Sequence, residues 1–152
     1  MNDVIKSLRK MHSIERFATE IYRAQLWIFS QELLVKRLKD AGDNEQEHIE
    51  TLYARITALG GEKSCLSWSF KLAGKILGFC TTLCGKRFVF KFDIAVEKKA
   101  VQDYTKYLNT VKYDDVSRKT IEKNLEDEKS HIKRWEDSLL VLKGKQKNSD
   151  IT

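Results

Sequence analysis

The sequence contains no proline and only 7 glycines in 152 residues. Without proline, an architecture of many short strands and turns is hard to build, whereas long helices are easy. Three cysteines, Cys65, Cys80 and Cys84, cannot make a fully paired disulfide framework, and they lack the CxxC spacing of a zinc site. A reducing, intracellular setting is the default reading. No apolar run is long enough for a membrane span. The most apolar stretch, CLSWSFKLAGKILGFCTTLCG at 65–85, is interrupted by Lys71, Lys75, Gly74 and Gly78. The opening MNDVIKSLRKMH lacks the apolar core of a secretory signal. No run of four or more basic residues occurs, and no motif of the common nucleic-acid modules is present. The net charge of +6 therefore points to an anionic lipid surface, or to an ordinary solvated basic exterior.

What is present is helical periodicity. With 41% hydrophobic and 33% charged residues the chain can bury one core. Leu8, Met11, Ala18, Tyr22 and Phe29 recur at steps of three and four, with Glu15 and Gln25 on the same ladder. A second ladder runs Leu38, Ala41, Glu45, His48, Leu52. A third runs Phe90, Ile94, Glu97, Val101, Tyr104, Leu108, Val111, and a fourth Ile121, Leu125, Glu128, Trp135, Leu139 with His131 beside it. Four such stripes imply an all-α four-helix bundle with one long crossover. The predicted helices are 3–29, 31–59, 66–84, 87–112 and 115–143. Ser30 is expected to cap the second, Gly60-Gly61 to stop it, and Asp114-Asp115 to cap the last. Residues 1–143 read as a single domain, and 144–152 as a flexible polar tail.

Four glutamates, Glu15, Glu45, Glu97 and Glu128, occupy apolar ladders, where an isolated carboxylate is costly. Four facing one core would repel, and two divalent cations would balance them. Two of the three histidines have Glu three residues earlier, Glu45-x-x-His48 and Glu128-x-x-His131, so each pair shares a helix face. Two Glu plus two Glu-x-x-His is the di-iron arrangement of ferritin-like bundles. The levels agree as well. Glu15 and Glu45 are equidistant from residue 30, and Glu97 and Glu128 from the 112/113 link, at roughly 22–24 Å from each turn. Glu20 rivals Glu15, but five residues on it lies roughly 140° round the helix and off the stripe. His12 has no such partner and is expected at the surface. Tyr22 and Tyr104 are core residues or hydrogen-bond donors near the metals. Cys80 and Cys84 read as small hydrophobes on the crossover, or else as a redox pair.

HSIERFATEIYRAQ (12–25), NEQEH (44–48), IAVEKKAVQDY (94–104) and EDEKSH (126–131) resemble the demethoxyubiquinone hydroxylase family, a branch of the ferritin-like di-iron proteins. The similarity runs in order over most of 5–142 and includes a Gly-Lys pair after the crossover, Gly85-Lys86. The resemblance implies that Glu15, Glu45, His48, Glu97, Glu128 and His131 ligate two iron ions. It also implies O2-dependent hydroxylation of a membrane quinone precursor in ubiquinone synthesis, with an external reductant. Two departures stand out. Gln102 and Asp103 replace a pair of histidines, and Arg16 and Phe17 replace small residues after the first ligand.

The crossover is the expected membrane contact. Trp68, Phe70, Leu72, Ile76, Leu77 and Phe79 suit the interface, and Lys71, Lys75, Lys86 and Arg87 suit its phosphates. The competing reading is a buried crossover helix. The expectation is thus a peripheral protein on the cytoplasmic face of an inner membrane, a candidate homo-oligomer that binds no nucleic acid. A rubrerythrin-like peroxide reductase is the alternative function, although the CxxC pairs of its usual rubredoxin module are missing. A metal-free interaction bundle is the third, opposed by the core glutamates.

Overall fold

The computed structural model describes all residues except 1, 63, 66 and 150–152, with the backbone alone for 2 and 144–149. Helices α1 (Asn2–Gln25), α2 (Glu32–Ala58), α3 (Ser67–Leu83), α4 (Lys86–Thr110) and α5 (Asp115–Ser149) follow in order, with no strand among the described residues. Helix α1 pairs with α2, and α4 with α5. The two hairpins meet through α1 against α4 and α2 against α5, and α3 lies on α1 and α4. This is the ferritin-like bundle with a crossover helix that the four stripes imply.

The helix ends follow local chemistry. Gly60, at φ 75°, closes α2 in a Schellman motif. Its N–H donates to Thr57 C=O at 2.9 Å, and Gly61 N–H to Ile56 C=O at 2.8 Å. Asp114 starts α5 by accepting from the amides of Val116 and Ser117 at 3.1 and 3.0 Å. Ser30 does not cap α2. Helix α1 ends at Gln25, and the bulky Leu26–Ile28 segment tightens into a 3-10 turn. The chain then enters α2 through Gln31, whose carbonyl receives Leu34 and Val35, and Ser30 is left exposed. Helix α5 continues six residues past the predicted end at 143, through good helix formers such as Lys145, Gln146 and Lys147.

The core lies in two blocks. Leu34, Leu38, Ala41, Ile21, Tyr22, Phe90 and Trp135 fill one end, and Leu8, Met11, Leu52, Ile56, Tyr104 and Ile121 the other. Along all four bundle helices the ladder glutamates fall between these blocks, and so does His48 on α2. His12 is not at the surface. It is buried, with its ring 6.0 Å from that of Tyr53 across the α1–α2 contact.

Helix α3 packs by its small residues. A Cβ on Gly74 would lie 2.3 Å from Phe17 C=O, and one on Gly78 2.6 Å from Ile21 C=O. Only glycine allows that backbone approach. The large residues consequently point away from the bundle. Trp68, Phe70, Leu72, Ile76, Leu77, Phe79 and Leu83 are all exposed, Trp68 by 66%. The expectation of an outward apolar face holds over a buried crossover. Cys80 and Cys84 are free and exposed rather than packed as small hydrophobes, and no disulfide joins them.

Candidate metal centre

The ladder glutamates and the two histidines converge between the core blocks. Glu15, Glu45, His48 and Glu128 bring one ligand atom each within 4.8 Å of one another, and so do Glu45, Glu97, Glu128 and His131. Glu45 and Glu128 belong to both groups. All six side chains are buried, the four carboxylates at 1% exposure or less. His48 Nδ1 lies 3.2 Å from Glu128 Oε1 and 3.4 Å from Glu45 Oε2. His131 Nδ1 lies 3.0 Å from Glu45 Oε1 and 3.3 Å from Glu97 Oε1. Glu20 stands apart, paired with Arg23 at 3.4 Å and Lys71 at 3.7 Å.

The donor atoms facing this centre lack hydrogen bonds. Both oxygens of Glu45, Glu97 Oε2, Glu128 Oε1, His48 Nδ1 and His131 Nδ1 are buried with no hydrogen-bond partner among the described residues. Buried polar atoms are rarely left so, and a cluster of six, mixing carboxylate oxygen and imidazole nitrogen, fits a pair of borderline divalent cations. The atoms on the far side are engaged. Tyr22 Oη donates to Glu97 Oε1, which also accepts from Trp135 Nε1 at 3.3 Å. Tyr104 Oη donates to Glu15 Oε1 and accepts from Asn124 Nδ2 at 3.2 Å. His48 Nε2 meets Asp127 Oδ2 at 3.1 Å.

The metal-free electrostatics show the same strain. Burial, then the charge of Glu45, pushes the Glu15 and Glu128 carboxyls well above their usual range. Burial also opposes the charge on Glu45, but His131 and His48 outweigh it and hold that carboxyl below its usual range. His131 is desolvated too, yet Glu45 and Glu97 push it up to about 10. His48 is raised by Glu45 and Asp127 against the same desolvation. Burial drives both Tyr22 and Tyr104 upward, so both remain hydroxyl donors.

Asp127, Asn124 and Trp135 take part in the site without having been singled out for it by sequence. Trp135 sits on the fourth ladder and reads as core. Asp127 directly precedes a ladder residue, and its acid resembles any surface charge.

Beside the centre is a mostly apolar cavity of about 620 Å³ between α1, α3 and α4. Ile14, Phe17, Phe70, Ala73, Phe92 and Val96 line it, with the Lys99–Asp103 ion pair also on its wall. Ile14 and Val96 immediately precede Glu15 and Glu97.

Fold and site together define a helical bundle whose interior holds a carboxylate–imidazole cluster compatible with metal binding. A family model described as Ubiquinone biosynthesis protein COQ7 matches residues 2–139, and the chain belongs to that family. The NADPH-dependent 3-demethoxyubiquinone 3-hydroxylase, mitochondrial, of Caenorhabditis elegans is 29% identical over 110 residues, covering 72% of this chain and 59% of that protein. Among the described residues no helix is long and apolar enough to cross a membrane.

Proposed function

We propose that this chain is a di-iron, O2-dependent hydroxylase of a membrane-borne quinone precursor in ubiquinone synthesis. The observation that carries the reading is the convergence of four core carboxylates and two imidazoles, with inward atoms of Glu45, Glu97, Glu128, His48 and His131 lacking partners among the described residues. Family membership and the relative's activity support the substrate class. They do not favour a peroxide reductase.

Glu15, Glu45, His48, Glu97, Glu128 and His131 would hold the two iron ions. Bound iron would supply the O2 activation and electron transfer that amino-acid side chains cannot. The protein's own residues prepare the place. Glu45 and Glu128 belong to both groups and would be available to either ion. Asp127 takes the Nε2–H of His48, which fixes the tautomer that leaves Nδ1 facing inward. Tyr22, Trp135 and Tyr104 hold one oxygen each of Glu97 and Glu15 and so orient the other. The two core blocks exclude water from above and below. A flat quinone ring fits the apolar cavity along Phe17, Phe92 and Val96, next to the ligand-bearing turns of α1 and α4.

A polyisoprenoid substrate resides in the bilayer, and α3 is the means of reaching it. Its exposed Trp68, Leu72, Ile76 and Phe79 would enter the interface while Lys75 and Arg87 meet lipid phosphates. The protein would then be peripheral, on the cytoplasmic face of an inner membrane in the simplest reading. Aerobic turnover of a short-chain demethoxyquinone with a reductant, read by mass spectrometry, is expected to give a product one oxygen heavier. Peroxide consumption with no oxygen insertion would overturn the hydroxylase reading.

A further inference from the structure

One turn before Glu97 on α4 lies Asp93, a carboxyl the proposed chemistry does not use. It is completely buried. Its Oδ1 accepts from Gln25 Nε2 at 2.8 Å, and the same amide nitrogen donates to Thr81 Oγ1 at 3.1 Å. Thr81 spends its own hydroxyl proton on Gly78 C=O at 2.7 Å, so it can only accept from Gln25. That fixes the amide: its nitrogen goes to Thr81 and Asp93, and Oε1 is left as an acceptor. Asp93 Oδ2 and Gln25 Oε1 are both buried and both without a hydrogen-bond partner among the described residues.

An ionised Asp93 would leave a buried charge with no cationic partner among the described residues and two buried acceptors without a donor among them, an expensive arrangement for polar groups in a core. One proton on Oδ2 removes the charge and supplies the donor that the acid–amide pair lacks. We infer that Asp93 is a positioning residue held as the neutral acid, paired with the Gln25 amide and through Thr81 tying the crossover helix α3 to the site-bearing helix α4. Three helices meet in this one chain of bonds, Asp93 from α4, Gln25 from α1 and Thr81 from α3. Helix α3 supplies both the outward apolar face and Phe70 and Ala73 of the cavity wall, so the tether sets the wall's place relative to Glu97. The titratable groups that Asp93 feels are Glu97 on its own helix and Tyr22 on α1, and its bonded partners are uncharged. Burial and then, past the opposing Gln25 bond, the charge of Glu97 favour the protonated form. The inference does not depend on which metal, or whether any, fills the neighbouring centre.

The test compares full-length wild type with Asp93→Asn, whose amide makes both bonds without a proton. A carboxyl that keeps its proton on folding but loses it on unfolding destabilises the native state as pH rises. The unfolding equilibrium constant of wild type relative to Asp93→Asn is therefore expected to grow about tenfold per pH unit from roughly pH 5 to neutral. Infrared spectra of protein carrying 13C-labelled aspartate are expected to show a protonated-acid carbonyl band that the variant lacks. Thr81→Val is expected to speed hydrogen exchange of the α3 amides five- to tenfold, about one net hydrogen bond, while α4 is unchanged. A pH-independent ratio, a missing acid band, or an Asp93→Asn variant that fails to fold overturns the neutral acid. Unchanged α3 exchange in Thr81→Val overturns the tether.

Discussion

The middle of the bundle and the outer face of α3 break the same rule in opposite directions. In the middle, four carboxylates and two imidazoles occupy the level between two blocks of mainly apolar core. On α3, tryptophan, phenylalanine, leucine and isoleucine stand in solvent while glycines and threonines face the protein. Each inversion is expensive alone, through desolvated charge in one place and hydrated apolar area in the other. The difference lies in what would relieve the cost. Cations satisfy the centre, and an apolar phase satisfies the helix. A bundle selected for stability alone would contain neither, which is why both regions point to function.

The largest expected effect breaks the first inversion. The protein should carry about two iron ions per chain, and His131→Ala or Glu45→Ala should lose most of that iron by elemental analysis. The combined Glu15, Glu45, Glu97 and Glu128→Gln variant should bind none. Full iron loading in that variant would remove the metal centre from the account.

Next in size is the second inversion. Trp68→Ser with Phe79→Ser removes two exposed apolar groups, each worth roughly 1.5–3 kcal/mol when buried. Wild type should sediment with anionic vesicles at low salt, more weakly in high salt, and with blue-shifted tryptophan fluorescence. The double variant should stay in the supernatant with its iron content intact. If instead both proteins remain soluble, α3 does not meet lipid.

Why could one inversion be read from sequence more fully than its surroundings? Helical periodicity reports which face a residue lies on, and the turns report its height. Those two coordinates bring Glu15, Glu45, His48, Glu97, Glu128 and His131 to one level, where the structure gathers them. Periodicity says nothing about an acid one step off the stripe, so Asp127 is invisible until α2 and α5 are side by side. The third ladder passes through Ile94, and Asp93 beside it is not on the ladder. The structure buries Asp93 and leaves Ile94 only partly buried, with Gln25 on a different helix donating to the Asp93 carboxyl. His12 fails for the same reason, since its neighbour Tyr53 belongs to another helix. Ser30 fails on shorter range: Leu26–Phe29 has no glycine to mark where α1 gives way to a 3-10 turn.

A smaller effect follows from protons standing in for metal. In the metal-free protein His131 is raised from an ordinary 6.5 to about 10, and His48 is raised as well. A group raised on folding contributes stability that is complete below its unfolded value and is lost as pH climbs through the folded one. Metal-free protein should therefore lose stability between about pH 6.5 and 10, by a few kcal/mol. Iron-loaded protein should show a much weaker dependence, because ligation already requires neutral imidazole. Iron binding should release protons, and affinity should rise with pH. Denaturant titrations at several pH values, with and without metal, check both halves.

The smallest effect separates the centre from its support. Asp127 is partly exposed, with 31% of its side chain accessible, and holds no inward position, yet it takes the Nε2–H of His48. Asp127→Ala removes that acceptor and frees the imidazole to rotate or change tautomer, so iron affinity should fall about 10- to 100-fold. Asp127→Asn keeps an acceptor oxygen and loses only the charge, so it should lie between that variant and wild type. Glu47→Gln is the control. It weakens the exposed Lys123–Glu47 pair on the same surface without touching His48, and should leave iron affinity unchanged and stability within about 0.5 kcal/mol. Competition with a calibrated chelator orders the three variants. If Asp127→Ala binds iron as tightly as Glu47→Gln does, then His48 is held by packing against Glu45 and Glu128 alone, and the centre needs no support from the surface.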